Sequence, residues 1–232
     1  MKFYLIRLKV CVIKDIPKNM GNYYIIKFVD NALRPDYEYL HNRNCFKNYV
    51  VSDLFPGKLE YKAGETYSVT IRTIDENLKN HFEKTLLTCR TKYFIGLFLE
   101  QTSTIENNFL IQELKSSTPV ITRLSVSNNY WKNIIDIEKY LELLKINLIK
   151  KYNSYYIDEK IKNNFELFLG VKFLNSKPLF PYVKKNIKVC GDKLILSVAN
   201  NTNSQKLAFL CLGTGLGELN SRGFGYVSYK KT

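Results

Sequence analysis

Apolar and polar residues alternate along FYLIRLKVCVI, residues 3–13, so that every second side chain falls on the same side of an extended backbone. This pattern predicts a strand with one buried face. NYYIIKFVDNAL has its apolar residues at helical spacing and predicts a helix that ends before Pro35. TYSVTIRTI predicts a strand over residues 66–74, and the following segment predicts a helix over 75–87 with Asp75 as its N-cap.

The second half repeats this order of elements without repeating the sequence. Apolar residues at Ile137, Leu141, Leu144 and Leu148 predict a long amphipathic helix. Strands are predicted at FELFLGVKFL, YVKKNIKVCG, DKLILSVANN and GYVSYKK, with a short capped helix at NNTNSQKLAFLCLG. Before these elements, KYFIGLFLEQTSTIENNFLIQEL predicts two further strands that complete the first half, and TPVITRLSVS, which follows them, predicts an extended segment.

This order of elements predicts an α+β fold with two tandem ferredoxin-like (RRM-like) domains, each an antiparallel sheet with helices on one face. We assign residues 1–125 to the first domain and 126–232 to the second. Because no linker rich in Pro, Gly or Ser separates them, we expect the two domains to pack closely.

The composition narrows the class of partner. Lysine and arginine number 35 against 21 acidic residues, a formal charge of +14 that indicates nucleic acid, an anionic membrane or an acidic protein. No apolar run approaches the ~18 residues of a membrane-spanning helix. The first segment carries Arg7 and Lys9 and is typical of a strand, not a signal peptide.

Cysteine and histidine usage indicates a cytoplasmic protein without a metal or cofactor. The five cysteines are scattered and form no CxxC motif, which argues against a disulfide framework or a zinc site. The chain has only two histidines, too few for a multi-histidine metal site, and no clustered carboxylate motif indicates Mg²⁺.

The strongest local signal is GTGLGELNSRGFGYV, which holds five of the 11 glycines of the chain. The spacing differs from a dinucleotide fingerprint, too few residues follow for a helix and another strand, and the P-loop pattern is absent. Two interpretations remain: a glycine-rich turn, or a clamp in which backbone amides and Arg222 bind RNA phosphates. The positive charge of the chain favours the clamp.

This stretch resembles the glycine signature of the CRISPR-associated endoribonucleases that cut precursor CRISPR RNA, the RAMP-type sixth Cas family. The resemblance extends to MKFYLIRL, YYIIKFVDNAL, YLHNRNCFKNYVVSDLF and SSTPVIT. It implies a metal-independent endoribonuclease that cuts within each repeat by 2′-hydroxyl attack. The products would be a 2′,3′-cyclic phosphate and a 5′-hydroxyl.

The resemblance also implies a catalytic centre. His41 and Lys47 match the family's pattern of YLH followed by a lysine six residues later, with histidine suited to general acid–base work and lysine to transition-state charge. Asp30 stands where some members carry a catalytic tyrosine, so its role as a third catalytic residue stays open. Contacts to RNA are expected from Arg43 and from the loop residues Gly215, Gly217, Asn220, Ser221, Arg222, Gly223 and Gly225.

Weaker candidates for phosphate contact are three lysine clusters, Lys150/Lys151, Lys184/Lys185/Lys188 and Lys230/Lys231. His81, on a predicted helix, is interpreted as a surface or capping residue. Two rival functions remain: a non-cleaving RNA-binding subunit of a CRISPR ribonucleoprotein complex, and a basic scaffold for an acidic protein or membrane. The expected partners are CRISPR repeat RNA, other Cas proteins and a second copy of the chain in a homodimer.

Overall fold

The computed structural model of the protein describes residues 1–42, 45–122, 124 and 130–231, with the side chains of Lys18, His41 and Asn42 left out. The helices within these residues are α1 (Lys18–Ala32), α2 (Tyr39–Asn42), α3 (Glu76–Thr88), α4 (Ile137–Tyr155) and α5 (Thr202–Thr214). The strands of the first half are β1 (Lys2–Val12), β2 (Ile16–Pro17), β3 (Tyr49–Val51), β4 (Glu60–Tyr61), β5 (Thr66–Thr73) and β6 (Phe94–Glu106). Those of the second half are β7 (Ile111–Ser116), β8 (Phe168–Phe173), β9 (Tyr182–Lys184), β10 (Ile187–Lys188), β11 (Leu194–Val198) and β12 (Val227–Lys231).

The first unit is a four-stranded antiparallel sheet in the order β3-β5-β1-β6, with α1 and α3 on one face. The alternating side chains of β1 put Ile6, Leu8 and Val10 into the core between sheet and helices, where they join Phe28 of α1 and Phe82 of α3. This is the strand order of a ferredoxin-like fold.

The second unit repeats that order as β12-β7-β11-β8, again antiparallel, with α4 and α5 on one face. The predicted tandem ferredoxin-like fold is therefore confirmed. The predicted boundary at residue 125 is wrong, because β7 is the first strand of the second sheet and lies before it. Periodicity identified this strand but could not show that its partners lie far along the chain.

Helix ends follow the predicted capping chemistry. The Asp75 carboxylate accepts a hydrogen bond from the Leu78 amide at 3.1 Å at the start of α3, and the Asn201 side chain accepts one from the Ser204 amide at 2.9 Å at the start of α5. The single strand predicted over YVKKNIKVCG is instead the hairpin β9–β10, whose two short strands pair with each other.

The two units pack closely, as the absence of a linker predicted. Phe3 of β1 lies against Phe209 of α5, with ring centroids 5.3 Å apart. The Arg72 guanidinium of β5 donates to the Val227 carbonyl at 2.8 Å, across the junction. Helix α5 is almost wholly buried because it lies between its own sheet and the first one.

Candidate functional site at the domain junction

A cleft of about 270 Å³ lies where the segment after α2 meets the glycine-rich loop. We call it the central cleft. One side is formed by residues 45–49 of the first unit, and the other by Lys151 of α4 and residues 214 and 217–222 of the second unit. Lys47, Ser221 and Arg222 therefore lie together, as the sequence predicted for residues of one site.

The loop is organised around a buried ammonium group. Lys151 Nζ donates to the carbonyls of Gly215 at 2.8 Å and Gly217 at 2.9 Å, and to Oδ1 of Asn220 at 2.6 Å. Burial lowers the pKa of Lys151 to about 8. The prediction that Lys151 contacts RNA is wrong, because all three of its donors are used inside the protein.

Asn220 is a second internal support. Its Nδ2 donates to the carbonyls of Leu216 at 3.0 Å and Phe224 at 2.9 Å, while its Oδ1 accepts from Lys151. The side chain is buried and supports the loop from inside, and the predicted RNA contact of Asn220 stays a prediction. Asparagine suits this position since its amide offers donors and an acceptor to three loop groups at once.

The glycines let the loop fold tightly upon itself. Gly217 and Gly225 have φ of +71° and +65°, and a Cβ there would lie 2.4 Å from the Ile121 carbonyl oxygen and 1.9 Å from the Leu216 carbonyl oxygen. A side chain at either position would displace the neighbouring backbone. The requirement for glycine therefore comes from the protein's own packing.

The predicted phosphate clamp of loop amides is wrong for three of the four glycines. The amides of Gly215, Gly223 and Gly225 donate to the carbonyls of Cys211, Asn220 and Pro119, respectively. These amides are satisfied and buried, so they cannot point at a phosphate. Gly217 is buried as well, and its expected RNA contact stays a prediction.

Arg222 and Asp30 form an ion pair across the two units, with Nη1 and Oδ2 2.5 Å apart. Asp30 lies on α1 and is mostly buried, and its carboxylate anchors Arg222 at the edge of the central cleft. The suggested role of Asp30 as a catalytic base stays untested.

Lys47 is half-buried, and its pKa is lowered from the ordinary value first by burial and then by the positive charge of Arg222. Asp30 acts in the opposite direction and raises the pKa of Lys47. The three groups are thus electrostatically coupled. A lysine with a lowered pKa loses its charge closer to neutral pH than a surface lysine does.

His41 lies in the short helix α2, just before the central cleft in sequence. Its side chain lies outside the described part of the structure, and Arg43 lies outside the described residues altogether. Their assignments as catalytic and RNA-binding residues remain predictions. His81 is buried, so its interpretation as a surface residue is wrong; its Nε2 lies 2.9 Å from the Ala32 carbonyl oxygen at the end of α1, which agrees with the capping alternative.

A second and larger cleft of about 830 Å³ runs from Arg222 along α1 to the β9–β10 hairpin. We call it the tyrosine groove. Its cationic lining residues are Lys27, Arg34, Lys92, Lys184, Lys185 and Arg222, and its tyrosines are Tyr23, Tyr24, Tyr93 and Tyr182. Tyr24 and Tyr93 stack on each other, with ring centroids 3.7 Å apart. The sequence showed Lys184 and Lys185 as a basic cluster but not their meeting with α1.

Sequence reasoning missed the groove face of α1 and the buried position of Lys151. A signal for the second was available, since Lys151 continues the spacing of Leu144 and Leu148 on the apolar face of α4. No group of three or more His, Cys, Asp or Glu side chains suitable for a metal ion occurs among the described residues. In the same part of the chain, no helix has the length and apolar character needed to cross a membrane.

Comparison with known proteins agrees with this architecture. Residues 100–229 match the family described as CRISPR associated protein Cas6, C-terminal. The CRISPR-associated endoribonuclease Cas6 2 of Methanocaldococcus jannaschii is 22% identical over 243 residues, covering 96% of this chain and 98% of the relative.

Two solved structures share the fold over nearly the whole chain. One, described as CRISPR associated protein Cas6, has a TM-score of 0.69 at 23% identity and covers 98% of this chain and 99% of its own. The other, a RAMP protein binding different RNA substrates, has a TM-score of 0.68 at 16% identity with the same coverage.

Two tandem ferredoxin-like units with a glycine-rich loop at their junction are the fold that the chain shares with these two structures. The family match spans more than half of the 232 residues, and the chain belongs to the Cas6 family of CRISPR-associated proteins. Homologues in this family are named endoribonucleases, so crRNA processing is the activity at the family level.

Proposed function

We propose that this protein binds CRISPR repeat RNA and cuts it within each repeat without a metal ion. The 2′-oxygen attacks the adjacent phosphorus, the bond from phosphorus to the 5′-oxygen breaks, and the products are a 2′,3′-cyclic phosphate and a 5′-hydroxyl. The 2′-hydroxyl gives up its proton to a base, and the leaving 5′-oxygen gains one from an acid.

The observation that carries this proposal is the meeting of Lys47 and Arg222 in the central cleft. Both cations are only partly exposed, and they lie on opposite walls contributed by the two units. A phosphate bound between them would gain negative charge as the 2′-oxygen adds. Cations held in place before the reaction stabilise that charge at no cost of reorganisation.

Proton transfer is assigned to His41, whose ordinary pKa lies near neutral pH. This assignment rests on the sequence match to the family. Lys47, which lines the central cleft, follows His41 by six residues along the chain.

The tyrosine groove supplies a path for RNA to this centre. Its lysines and arginines form a positively charged surface between the β9–β10 hairpin of one unit and α1 of the other. Arg222 lines both the groove and the central cleft. Phosphate contacts of this kind make affinity fall steeply with salt. We expect binding of repeat RNA to weaken when Lys27, Lys184 and Lys185 are replaced together by methionine.

The test is cleavage of the repeat RNA from the protein's own genome in the presence of EDTA. We expect the cut to require the 2′-hydroxyl at that position and to slow by roughly 100-fold or more in His41→Ala and in Lys47→Met. Lys58→Met, an exposed lysine away from both clefts, is the matched control and should cleave normally. Cleavage that survives a 2′-deoxy substitution or that EDTA abolishes would contradict the mechanism.

The alternative is a non-cleaving RNA-binding subunit of a CRISPR ribonucleoprotein complex. It is favoured by Asp30, which stands where some family members carry a catalytic tyrosine and is paired here with Arg222. Tight, salt-sensitive binding of repeat RNA without any cut would support it. Association with other Cas proteins and homodimer formation remain predictions from the sequence.

A further inference from the structure

A third, smaller cleft lies beside the central cleft and shares three of its lining residues, Phe46, Gly217 and Glu218. We call it the side cleft. Its volume is about 160 Å³, below the range of sites for drug-sized ligands. The remaining lining residues are Thr122, Leu143, Leu144, Ile146, Asn147 and Lys150.

The lining favours a flat, partly apolar group. The half-buried Phe46 ring and the half-buried Leu143 and Ile146 of α4 all line the side cleft. Single-stranded RNA is recognised in proteins by bases that leave the stack, lie against aromatic or apolar side chains and are hydrogen-bonded at their edges. The side cleft has room for one base.

The polar groups of the side cleft are held in fixed positions. The Glu218 amide donates to the Ile121 carbonyl at 2.7 Å, and Glu218 Oε1 accepts from Nδ2 of the buried Asn147 at 2.9 Å. That carboxylate partner settles the orientation of the Asn147 amide. Within the described part of the chain, Oε2 of Glu218 has no hydrogen-bond donor.

We propose that the side cleft binds a guanine base next to the cleaved phosphate. Guanine presents two adjacent N–H donors, N1 and N2, which a carboxylate accepts together, and beside them the O6 acceptor. The Lys150 ammonium is the donor available for O6. Adenine and cytosine place a ring nitrogen acceptor where N1–H of guanine stands, and uracil offers a single N–H between two carbonyls.

The inference rests on the proposed function for the position of the base but not for its identity. Because Phe46 and Glu218 line both clefts, a nucleotide whose phosphate lies near Lys47 can place its base in the side cleft. Recognition of guanine is a property of binding that can be measured whether or not the RNA is cut.

The experiment uses the full-length protein and two libraries of its repeat RNA with randomised nucleotides on both sides of the cut. One library carries 2′-deoxy sugars at the cut position and is selected by binding. The other is sequenced after cleavage. The variants are Glu218→Gln, Phe46→Leu and, as the control, Glu142→Gln on the exposed side of α4, with thermal melting to verify folding.

We expect guanine to be enriched at one flanking position by the wild-type protein and by Glu142→Gln, and to lose its advantage in Glu218→Gln. An RNA with inosine there, which lacks the N2 amino group, should bind roughly tenfold more weakly to the wild type. Equal binding of all four bases by a folded wild-type protein would overturn the side-cleft assignment, as would unchanged guanine preference in Glu218→Gln. Guanine selection by binding without any cleavage would overturn the proposed catalysis and keep the side cleft.

Discussion

Replacing Lys151 by methionine tests the idea that one buried ammonium group holds the glycine-rich loop together. Methionine fills a similar volume but donates no hydrogen bond. The Gly215 and Gly217 carbonyls and the Asn220 side-chain oxygen would then lose the donor that they share. Each buried acceptor without its donor costs roughly 1–3 kcal/mol, so the gross loss is about 6 kcal/mol for three acceptors at the middle of that range.

A second contribution opposes this loss of stability: the methionine variant no longer has the free-energy cost of burying a charge. The pKa of Lys151 falls from the ordinary 10.5 to about 8, so burial favours the neutral amine by about 3 kcal/mol. Subtraction leaves a net destabilisation of about 3 kcal/mol.

The assay is urea unfolding of Lys151→Met and of Lys150→Met, its exposed neighbour, under identical conditions. We expect Lys151→Met to unfold at a clearly lower urea concentration than the wild type. We expect Lys150→Met to change the free energy of unfolding by no more than about 0.5 kcal/mol. Equal midpoints for the two variants would refute the reasoning, since the loop would then hold its shape without the ammonium group.

Three further results are expected. Gly225→Ala should lower the free energy of unfolding by about 1–2 kcal/mol because of its left-handed backbone alone, and further because the added Cβ clashes with the Leu216 carbonyl oxygen. Gly57→Ala, with open space around its Cβ, is the control and should melt like the wild type. Arg222→Met removes a like charge near Lys47, which raises the pKa of Lys47 and moves the alkaline limb of the cleavage rate to higher pH. Between about pH 8 and 10.5 the unfolded wild type binds more protons at Lys151 than the folded wild type does, so the wild type gains stability as the pH rises. The difference in unfolding free energy between the wild type and Lys151→Met should therefore widen over this range.

Each of these has a result that would contradict it. A stable Gly225→Ala would mean that the loop backbone can move away from the added methyl group. An alkaline limb that stays in place in Arg222→Met would mean that Lys47 does not set it. A stability gap that is constant above pH 8 would mean that Lys151 keeps an ordinary pKa in the folded state.

Local sequence determined most of the secondary structure. Alternation and helical spacing identified β1, α1, β5 and α4, and cap residues such as Asp75 marked where helices begin. These signals are local, because side-chain direction repeats every two residues in a strand and every 3.6 in a helix. The order of elements was then enough to predict two ferredoxin-like units.

The same sequence misplaced the division between the units. Strand β7 follows β6 along the chain after a short turn but pairs with β11 and β12 of the second sheet. Nothing in the alternation of a strand tells which other strand lies beside it. The pairing is decided by which apolar faces can be buried together.

The sequence by itself determined the fold class, the family signature and the candidate pair His41 and Lys47. Only the tertiary structure decided what the glycine-rich loop does, because several of its partners come from distant parts of the chain: the Gly225 amide donates to the Pro119 carbonyl, and the Asn220 side-chain oxygen accepts from Lys151. Lys151 shows the reason most clearly: its spacing along α4 predicts an inward direction, but a charge is stable there only because three oxygen atoms of the loop meet it. Periodicity fixes the face of a helix on which a residue lies, while the contacts across the fold determine which groups it meets.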